Sequence, residues 1–442
     1  MKSDDALLTA WEETLAKKCG APAIFDTRGK VLRTFQDVES RARQLEDQVD
    51  DANQGEVYPI DLGNQPDWPS HLLAAFRRQL VALPLESTIT APQREAALQA
   101  CNGGNWGADR PALLKLTSGT TAAPRAIRFR SEQLLADCNQ ICDTMGIGRD
   151  DVNFGVIPLS HSYGFSNLVT PLLVRGVALV LSRDRMPRAV LGDLAASGAT
   201  VFPGMPVFYQ AFCEMENAPP LPNLRLCISA GAPLPFEVAR KFRDRFQQSI
   251  HSFYGSSECG GICYDREARL EEPGFVGAPL DRVKVELLEP DAPAGRIRVH
   301  SAAAGDGYFP DPDPDKLGNG FFAPDDLLTR SGGGFRIVGR VSDVINVAGK
   351  KVNPAEVEAE LMRFDGVRAA VVFGRESTLR NEEVAACVAA GPEVREPELL
   401  DFCRERLSGW QVPKRIFFVE EIPVNERGKV SRRELARRFG GQ

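Results

Sequence analysis

Between Val57 and Glu86 the chain reads VYPIDLG, then SHLLAAFRRQL, then VALPLE. Two short β-prone runs bracket a segment with helical apolar spacing, within the length of one βαβ unit. Parallel strands joined in this way need a crossover that packs back on the sheet, so the pattern commits the region to a sheet with helices on its faces. The alternation returns as LLKLTSG, as the helix SEQLLADCNQICDTMG with Leu134, Leu135, Cys138, Ile141, Cys142 and Met145 on one side, and as NFGVIP, a further helix and VALVLSR. It continues through ATVFPG, LRLCISAG and IHSFYG. The expectation is an α/β fold whose large N-terminal domain has mixed and parallel sheets covered by helices.

After Gly277 the helical pattern stops, and strand-like runs such as VKVELLE and GRIRVHS stand among turn formers, including FPDPDPDKLGNG. This predicts a β-rich module over about 277–340 that completes a large domain of residues 1–340. From Val341 a new order begins: VINVAG, a helix from Asn353, VRAAVVFG, EEVAACVAA, the helix EPELLDFCRERL and the strand RIFFVEEI. It predicts a smaller α+β lobe over 341–442. The helix after Val352 has a legible start, with Asn353 as cap, Pro354 in the first turn and Glu356 three residues on.

A net charge of −7 argues against nucleic acid as partner. The tail from Pro413 is nevertheless basic, with Lys414, Arg415, Arg427, Lys429, Arg432, Arg433, Arg437 and Arg438 against four glutamates. Such a tail suits a phosphate-bearing ligand or, equally, a solvated helix end. The opening MKSDDALLTAWEETLAKKCG lacks a basic start followed by an apolar run, and Arg175 breaks the most apolar stretch. A cytoplasmic protein without membrane insertion is expected. The ten cysteines are scattered, with no histidine cluster beside them, so reduced and mostly buried thiols are the default.

The strand LLKL runs into TSGTTAAPR, where Thr117, Ser118, Thr120 and Thr121 surround Gly119 and a cation follows at Arg125. Hydroxyls and loop amides can wrap phosphate oxygens, and a guanidinium matches them with a planar fork of donors. A solvated Ser/Thr turn between strand and helix is the plain alternative.

TSGTTAAPRAI resembles the TSGTTGxPKG signature of the AMP-forming acyl-adenylating superfamily, which includes acyl- and aryl-CoA synthetases, carrier-protein-loading adenylation domains and luciferases. It departs from that signature with Ala122 and Ala126 for glycine and Arg125 for lysine. SAGAPL, with Gly231, Ala232 and Pro233, resembles the family's adenine-binding segment, and FYGSSECGG resembles its YGxTE motif. The resemblance implies that Tyr254 stacks on adenine, that Gly255, Ser256 and Ser257 border the nucleotide, and that Glu258 holds magnesium. Asp326 aligns with the aspartate of the TGD motif, here preceded by Pro324 and Asp325, and Arg340 with the arginine that closes the linker motif; the family uses both on the ribose.

GRVSDVINVAGKKVNPAEVEAEL resembles the interdomain segment, with Ser342 at its hinge position and Gly349, Lys350 and Lys351 on the thiol side. VPKRIFFVEEIPVNERGKVSRREL resembles the last family motif, which makes Lys429 the adenylation lysine. The implied cofactors are ATP, Mg2+ and coenzyme A or the phosphopantetheine of a carrier protein. The implied substrate is a small-molecule carboxylic acid.

PLSHSYGF falls where the family places its acid pocket, and His161 matches the histidine of aryl- and fatty-acyl-activating members. No acidic residue lies between Ile157 and Leu172, which disfavours an α-amino acid, because its ammonium would be left unpaired. Tyr163, Phe165, Phe202 and Phe208 are either pocket lining or core. An acid:CoA ligase is the leading reading. Standalone loading of an acyl carrier protein and a non-catalytic nucleotide-binding homologue stand beside it, as does a protein that uses the fold only for partner binding.

Overall fold

The computed structural model describes residues 5–49, 52–102, 106, 109–117, 125–269, 274–292, 294–377, 381–423 and 430–439. Ser118, Gly119, Thr120, Thr121 and Lys429 lie outside the described residues, as does Ala122. The chain forms two compact units. The first comprises 1–286, 298–324 and 330–336, and the second 287–297, 325–329 and 337–442.

The first unit carries two sheets. In the larger, the strands Ile250–Ser256, Leu226–Ser229, Val201–Gly204, Val152–Gly155, Ala178–Leu181 and Pro22–Phe25 lie side by side in that order, all parallel. Val31–Thr34 closes one edge antiparallel, and Gly260–Tyr264 followed by Phe275–Pro279 extends the other. The central strands Ala178–Leu181, Val201–Gly204 and Leu226–Ser229 are buried at every position, which is why their sequences are continuous apolar runs instead of alternating ones.

The smaller sheet has the order Gly307–Phe309, Ala126–Phe129, Leu113–Leu116, Val81–Pro84, Val57–Ile60. Its βαβ unit pairs Val57 with Val81 and Ile60 with Pro84 in parallel register across the helix Trp68–Arg77, as the sequence predicts. After Leu116 the chain does not pass directly to a helix. It returns as Ala126–Phe129, antiparallel to Leu113–Leu116, and only then enters the helix Ser131–Met145. Ala126 is therefore a strand residue paired with Phe309, and it has no positive φ. A glycine is not required there.

The helix Ser131–Met145 buries the expected Leu134, Cys138, Ile141, Cys142 and Met145 but leaves Leu135 half-buried, and it also buries Gln133, Asp137 and Gln140. It stops at Gly146, whose φ of 64° suits a helix C-cap. Of the four aromatic residues weighed as pocket lining or core, Phe165, Phe202 and Phe208 are buried, and the ring of Phe202 packs against those of Phe154, Phe208, Tyr209 and Phe212.

The second unit is built on a sheet of order Lys350–Val352, Ile345–Val347, Asn381–Ala390, Val367–Ser377, with Arg415–Val419 parallel to Asn381–Ala390. The helices Pro354–Leu361 and Glu396–Arg406 bury Val357, Leu361, Leu399 and Cys403 against it. Asn353 caps the first of them by accepting from Ala355 N at 3.2 Å. The final helix Arg432–Phe439 seats Leu435 and Phe439 on Phe373, Ala385 and Cys387. All ten cysteines are free, and only Cys19 is exposed. Among the described residues no helix is long and apolar enough to cross a membrane.

One buried ionic contact ties the N-terminal helices of the first unit together. Glu39, 4% exposed, accepts from Arg77 at 2.7 Å and from the Trp11 indole at 2.9 Å. Burial pushes this carboxyl up, but the bonds from Arg77 and Trp11 outweigh it and hold it below the ordinary carboxylate range. A depressed carboxyl stabilises the fold above its unfolded-state pKa, and that contribution is lost as pH falls through the folded one. Arg77→Met should leave the buried carboxylate with only the Trp11 indole and the exposed Arg43, 2.7 Å from its other oxygen, and cost about 3 kcal/mol in urea denaturation at neutral pH. A loss below about 1 kcal/mol would show that the pair is not a fixed part of the core.

Candidate active site

In an open parallel sheet the carboxyl ends of the strands gather the loops that bind ligands. Four of the candidate segments occupy such ends. Thr117 follows Leu113–Leu116, the His161 segment follows Val152–Gly155, Gly231 to Pro233 follow Leu226–Ser229, and Tyr254 to Glu258 finish and leave Ile250–Ser256.

The phosphate loop is described at its two feet. Thr117 donates to the Arg125 carbonyl from its amide at 2.8 Å and from its hydroxyl at 3.1 Å, which closes the neck of the loop. The Arg125 guanidinium lies 3.8 Å from the centre of the Tyr308 ring, and it donates to the Asp311 carbonyl at 2.6 and 3.0 Å. Tyr308 in turn donates to Glu258 Oε1 at 3.2 Å. A chain of contacts thus runs from the loop's foot to the candidate metal carboxylate. Its middle member is fixed by the strand Gly307–Phe309, which pairs with Ala126–Phe129. The Arg130–Asp306 bidentate bond at 2.8 and 2.9 Å, with Gln133 donating to the same carboxylate at 2.8 Å, secures that pairing.

Burial pushes the Glu258 carboxyl above its ordinary range, against the opposing bonds from Tyr308 and Ser256. The same burial, with the neighbouring glutamate, raises the Tyr308 phenol, so it stays a donor. Among the described residues no group of three or more His, Cys, Asp or Glu gathers as a metal cage. A single hard carboxylate fits magnesium that arrives already carrying phosphates, since this ion keeps waters and takes only one or two protein carboxylates.

His161 sits exposed at the start of a short helix, and its Nδ1 accepts from Tyr163 N at 3.2 Å, which puts the ring proton of the neutral imidazole on Nε2. The following turn, Phe165–Val169, is a π-helix, a local widening often found at functional sites. Tyr163 is turned inward, toward the carbonyls of Gly204 and Ile228 at 3.3 and 3.5 Å. Ser162 donates to Ser257 at 2.8 Å and so joins the His161 and Glu258 segments directly. Tyr254 is 8% exposed, while Gly255 beside it is open to solvent. Gly231, Ala232 and Pro233 are exposed, and the φ of +84° at Gly231 is one that only glycine adopts readily.

In the second unit Arg340 donates to Asp326 Oδ1 at 2.8 Å. The pair forms although Pro324 and Asp325 replace the motif's usual residues. Ser342 lies in a 3-10 turn, Val341–Asp343, and Lys350 stands over the Trp410 ring at 3.8 Å.

Sequence reasoning missed Tyr308, which stands directly before the stretch FPDPDPDKLGNG, read only as rich in breakers. It also missed Asn64, whose amide donates to the carbonyls of Gly155, Ile157 and Ser182 while its oxygen accepts from Leu159 N at 3.0 Å. Asn64 shapes the approach to His161 from nearly a hundred positions away, and no local pattern betrays that.

The AMP-binding enzyme family model matches residues 104–309, and the model of the AMP-binding enzyme C-terminal domain matches 356–429. The chain is 31% identical over 349 residues to feruloyl-CoA synthase of Amycolatopsis sp, covering 76% of this chain and 71% of that one. It is 27% identical over 333 residues to 3,4-dihydroxybenzoate–[aryl-carrier protein] ligase of Bacillus anthracis, with 75% of each covered. In fold it matches the crystal structure of ATP-bound MatB from Rhodopseudomonas palustris, with a TM-score of 0.86 over 98% of both chains at 21% identity.

Removing the phenol tests the contact chain. Tyr308→Phe should leave the melting temperature of the free protein nearly unchanged, yet it should weaken Mg·ATP binding roughly tenfold, read as a smaller ligand-induced rise in melting temperature. An undiminished rise would show that the bond does not orient Glu258.

Proposed function

The chain belongs to the AMP-binding enzyme family, and from that premise we propose that it uses ATP and magnesium to activate a carboxylic acid as an acyl-adenylate, releases pyrophosphate and passes the acyl group to the thiol of coenzyme A. The observation that carries this reading is the continuous contact from Arg125 through Tyr308 to Glu258 at the strand ends. It joins a phosphate-loop foot to a carboxylate suited to a phosphate-bound ion.

In the first half-reaction a carboxylate oxygen of the acid bonds to the α-phosphorus, and the bond from that phosphorus to the bridging oxygen of pyrophosphate breaks. Negative charge builds on the phosphoryl and bridging oxygens. Lys429 donates to those oxygens through its ammonium, and the hydroxyls of Ser118, Thr120 and Thr121 with the loop amides hold the leaving pyrophosphate. Magnesium, when bound at Glu258, neutralises phosphate charge and aligns the leaving group. Tyr254 offers its face to the adenine, bordered by Gly231, Ala232, Pro233 and Gly255 to Ser257. Asp326 accepts from the ribose hydroxyls, its orientation fixed by Arg340.

His161 lines the acid side. Its segment carries no carboxylate from Ile157 to Leu172, so an aryl or fatty acid fits and an α-ammonium does not, at a cost of several kcal/mol for the unpaired charge. In the second half-reaction the thiol sulfur bonds to the acyl carbon, AMP leaves with the bonding electrons, and the thiol proton is released. Turning about Ser342 would exchange the Lys429 segment for the Gly349–Lys351 turn between the two half-reactions.

The likeness to an aryl-carrier protein ligase favours one second reading, loading of the phosphopantetheine of a carrier protein. AMP formation with coenzyme A against a loaded carrier separates the two. Acid-dependent pyrophosphate exchange over a panel of aryl and fatty acids tests the first half-reaction, and Lys429→Ala should lower it about 100- to 1000-fold. Exchange that needs no acid, or that survives the substitution, would contradict the mechanism.

A further inference from the structure

Two buried charged side chains border the candidate site without a place in this chemistry. Lys115, 5% exposed, lies two positions before Thr117 on the strand that leads into the phosphate loop. Its ammonium sits over the faces of Phe129 and Phe165, at 4.8 and 5.0 Å from their centres. Asp137, 4% exposed, lies on the buried side of the helix Ser131–Met145. A buried charge is costly unless it is partnered, so two of them beside a ligand site call for an account.

The partners of Asp137 supply it. Its Oδ1 accepts from Gly261 N at 3.0 Å, on the strand that begins directly after the Glu258 turn. Its Oδ2 accepts from Ser166 at 2.5 Å, in the π-helical turn that follows His161. Gly260, between Glu258 and Gly261, has a φ of +67°, and a Cβ there would overlap the Asp137 carboxylate. The carboxylate is therefore pressed into the base of the glutamate turn. Burial lowers the Lys115 ammonium's pKa, and the charge of Asp137 is the foremost influence opposing this.

We propose that Asp137 is a positioning residue for nucleotide binding: its carboxylate fixes the Glu258 turn against the His161 segment. Two segments of the site then share one anchor. Ser162–Ser257 joins these two segments directly, and Asp137 joins the same two a second time through Ser166 and Gly261. The inference rests on the assignment of magnesium to Glu258.

The test is calorimetric titration of the full chain with Mg·ATP and, separately, with AMP, which has no β- or γ-phosphate for the ion to bridge. Asp137→Asn keeps the shape and an acceptor for Gly261 N but removes the charge. Ser166→Ala removes one bond and leaves the carboxylate, and it serves where the first variant does not fold. Both should weaken Mg·ATP binding, Asp137→Asn about tenfold or more, with AMP binding held within about twofold. Equal weakening of both ligands, or no weakening in either variant, would overturn the positioning role. Unaltered protein that binds ATP equally with and without magnesium would overturn the Glu258 assignment and this inference with it.

Discussion

A carboxylate removed from water must find donors, a proton or a cation. Glu258 is the place where this requirement organises the first unit. Burial raises its pKa, Tyr308 gives it one hydrogen bond, and the turn that carries it is braced from below by Asp137. A site prepared in this way is unfavourable for a bare charge and favourable for a charge that meets magnesium. The strand Gly307–Phe309 exists at the edge of the smaller sheet to bring Tyr308 there, and its own anchoring by Arg130 and Gln133 follows from the same need.

Parallel strands explain why residues far apart in the chain share one place. In the larger sheet their carboxyl ends all point one way, so the loops after Gly155 and Ser229 and at Ser256 emerge on one side, and the Arg125–Tyr308–Glu258 contacts bring the foot of the loop after Leu116, from the smaller sheet, to them. The second unit solves a different problem. Arg432 binds Asp343 at 2.6 Å and Glu358 at 2.8 and 3.0 Å, and it donates to the Val372 carbonyl at 2.9 Å, which ties the start of the last helix to the turn containing Ser342. The segment after Lys429 is thereby part of a firm lobe.

Much of this architecture is legible in the sequence wherever the hydrophobic period changes cleanly. Val57–Ile60, Trp68–Arg77 and Val81–Pro84 follow from the switch between strand and helix spacing, and Asn353 with Pro354 marks a helix start that the structure keeps. The strand Ala126–Phe129 was hidden, because four residues after a hydroxyl-rich loop carry no alternation of their own. Of the motif residues, Thr117, His161, Gly231 and Glu258 stand at or just after strand ends. Tyr308, Asn64, Asp137 and Lys115 were not legible, since a single polar residue carries no signal of a distant partner, whether it stands on a strand, on a helix or in a turn. Asp137 and Gly261 are 124 positions apart. The departure at Ala126 is resolved by its place in a strand, and that at Arg125 by the Tyr308 ring and the Asp311 carbonyl, which suit a planar guanidinium better than an ammonium.

The claim on which all of this depends is that the acid's own oxygen attacks the α-phosphorus. Single turnover with a carboxylic acid labelled with oxygen-18 in both carboxyl oxygens reads it directly. Attack by the acid's oxygen places one labelled oxygen in the AMP and none in the pyrophosphate after the acyl group has passed to the thiol. Label in pyrophosphate or inorganic phosphate, or unlabelled AMP alongside thioester, would contradict it.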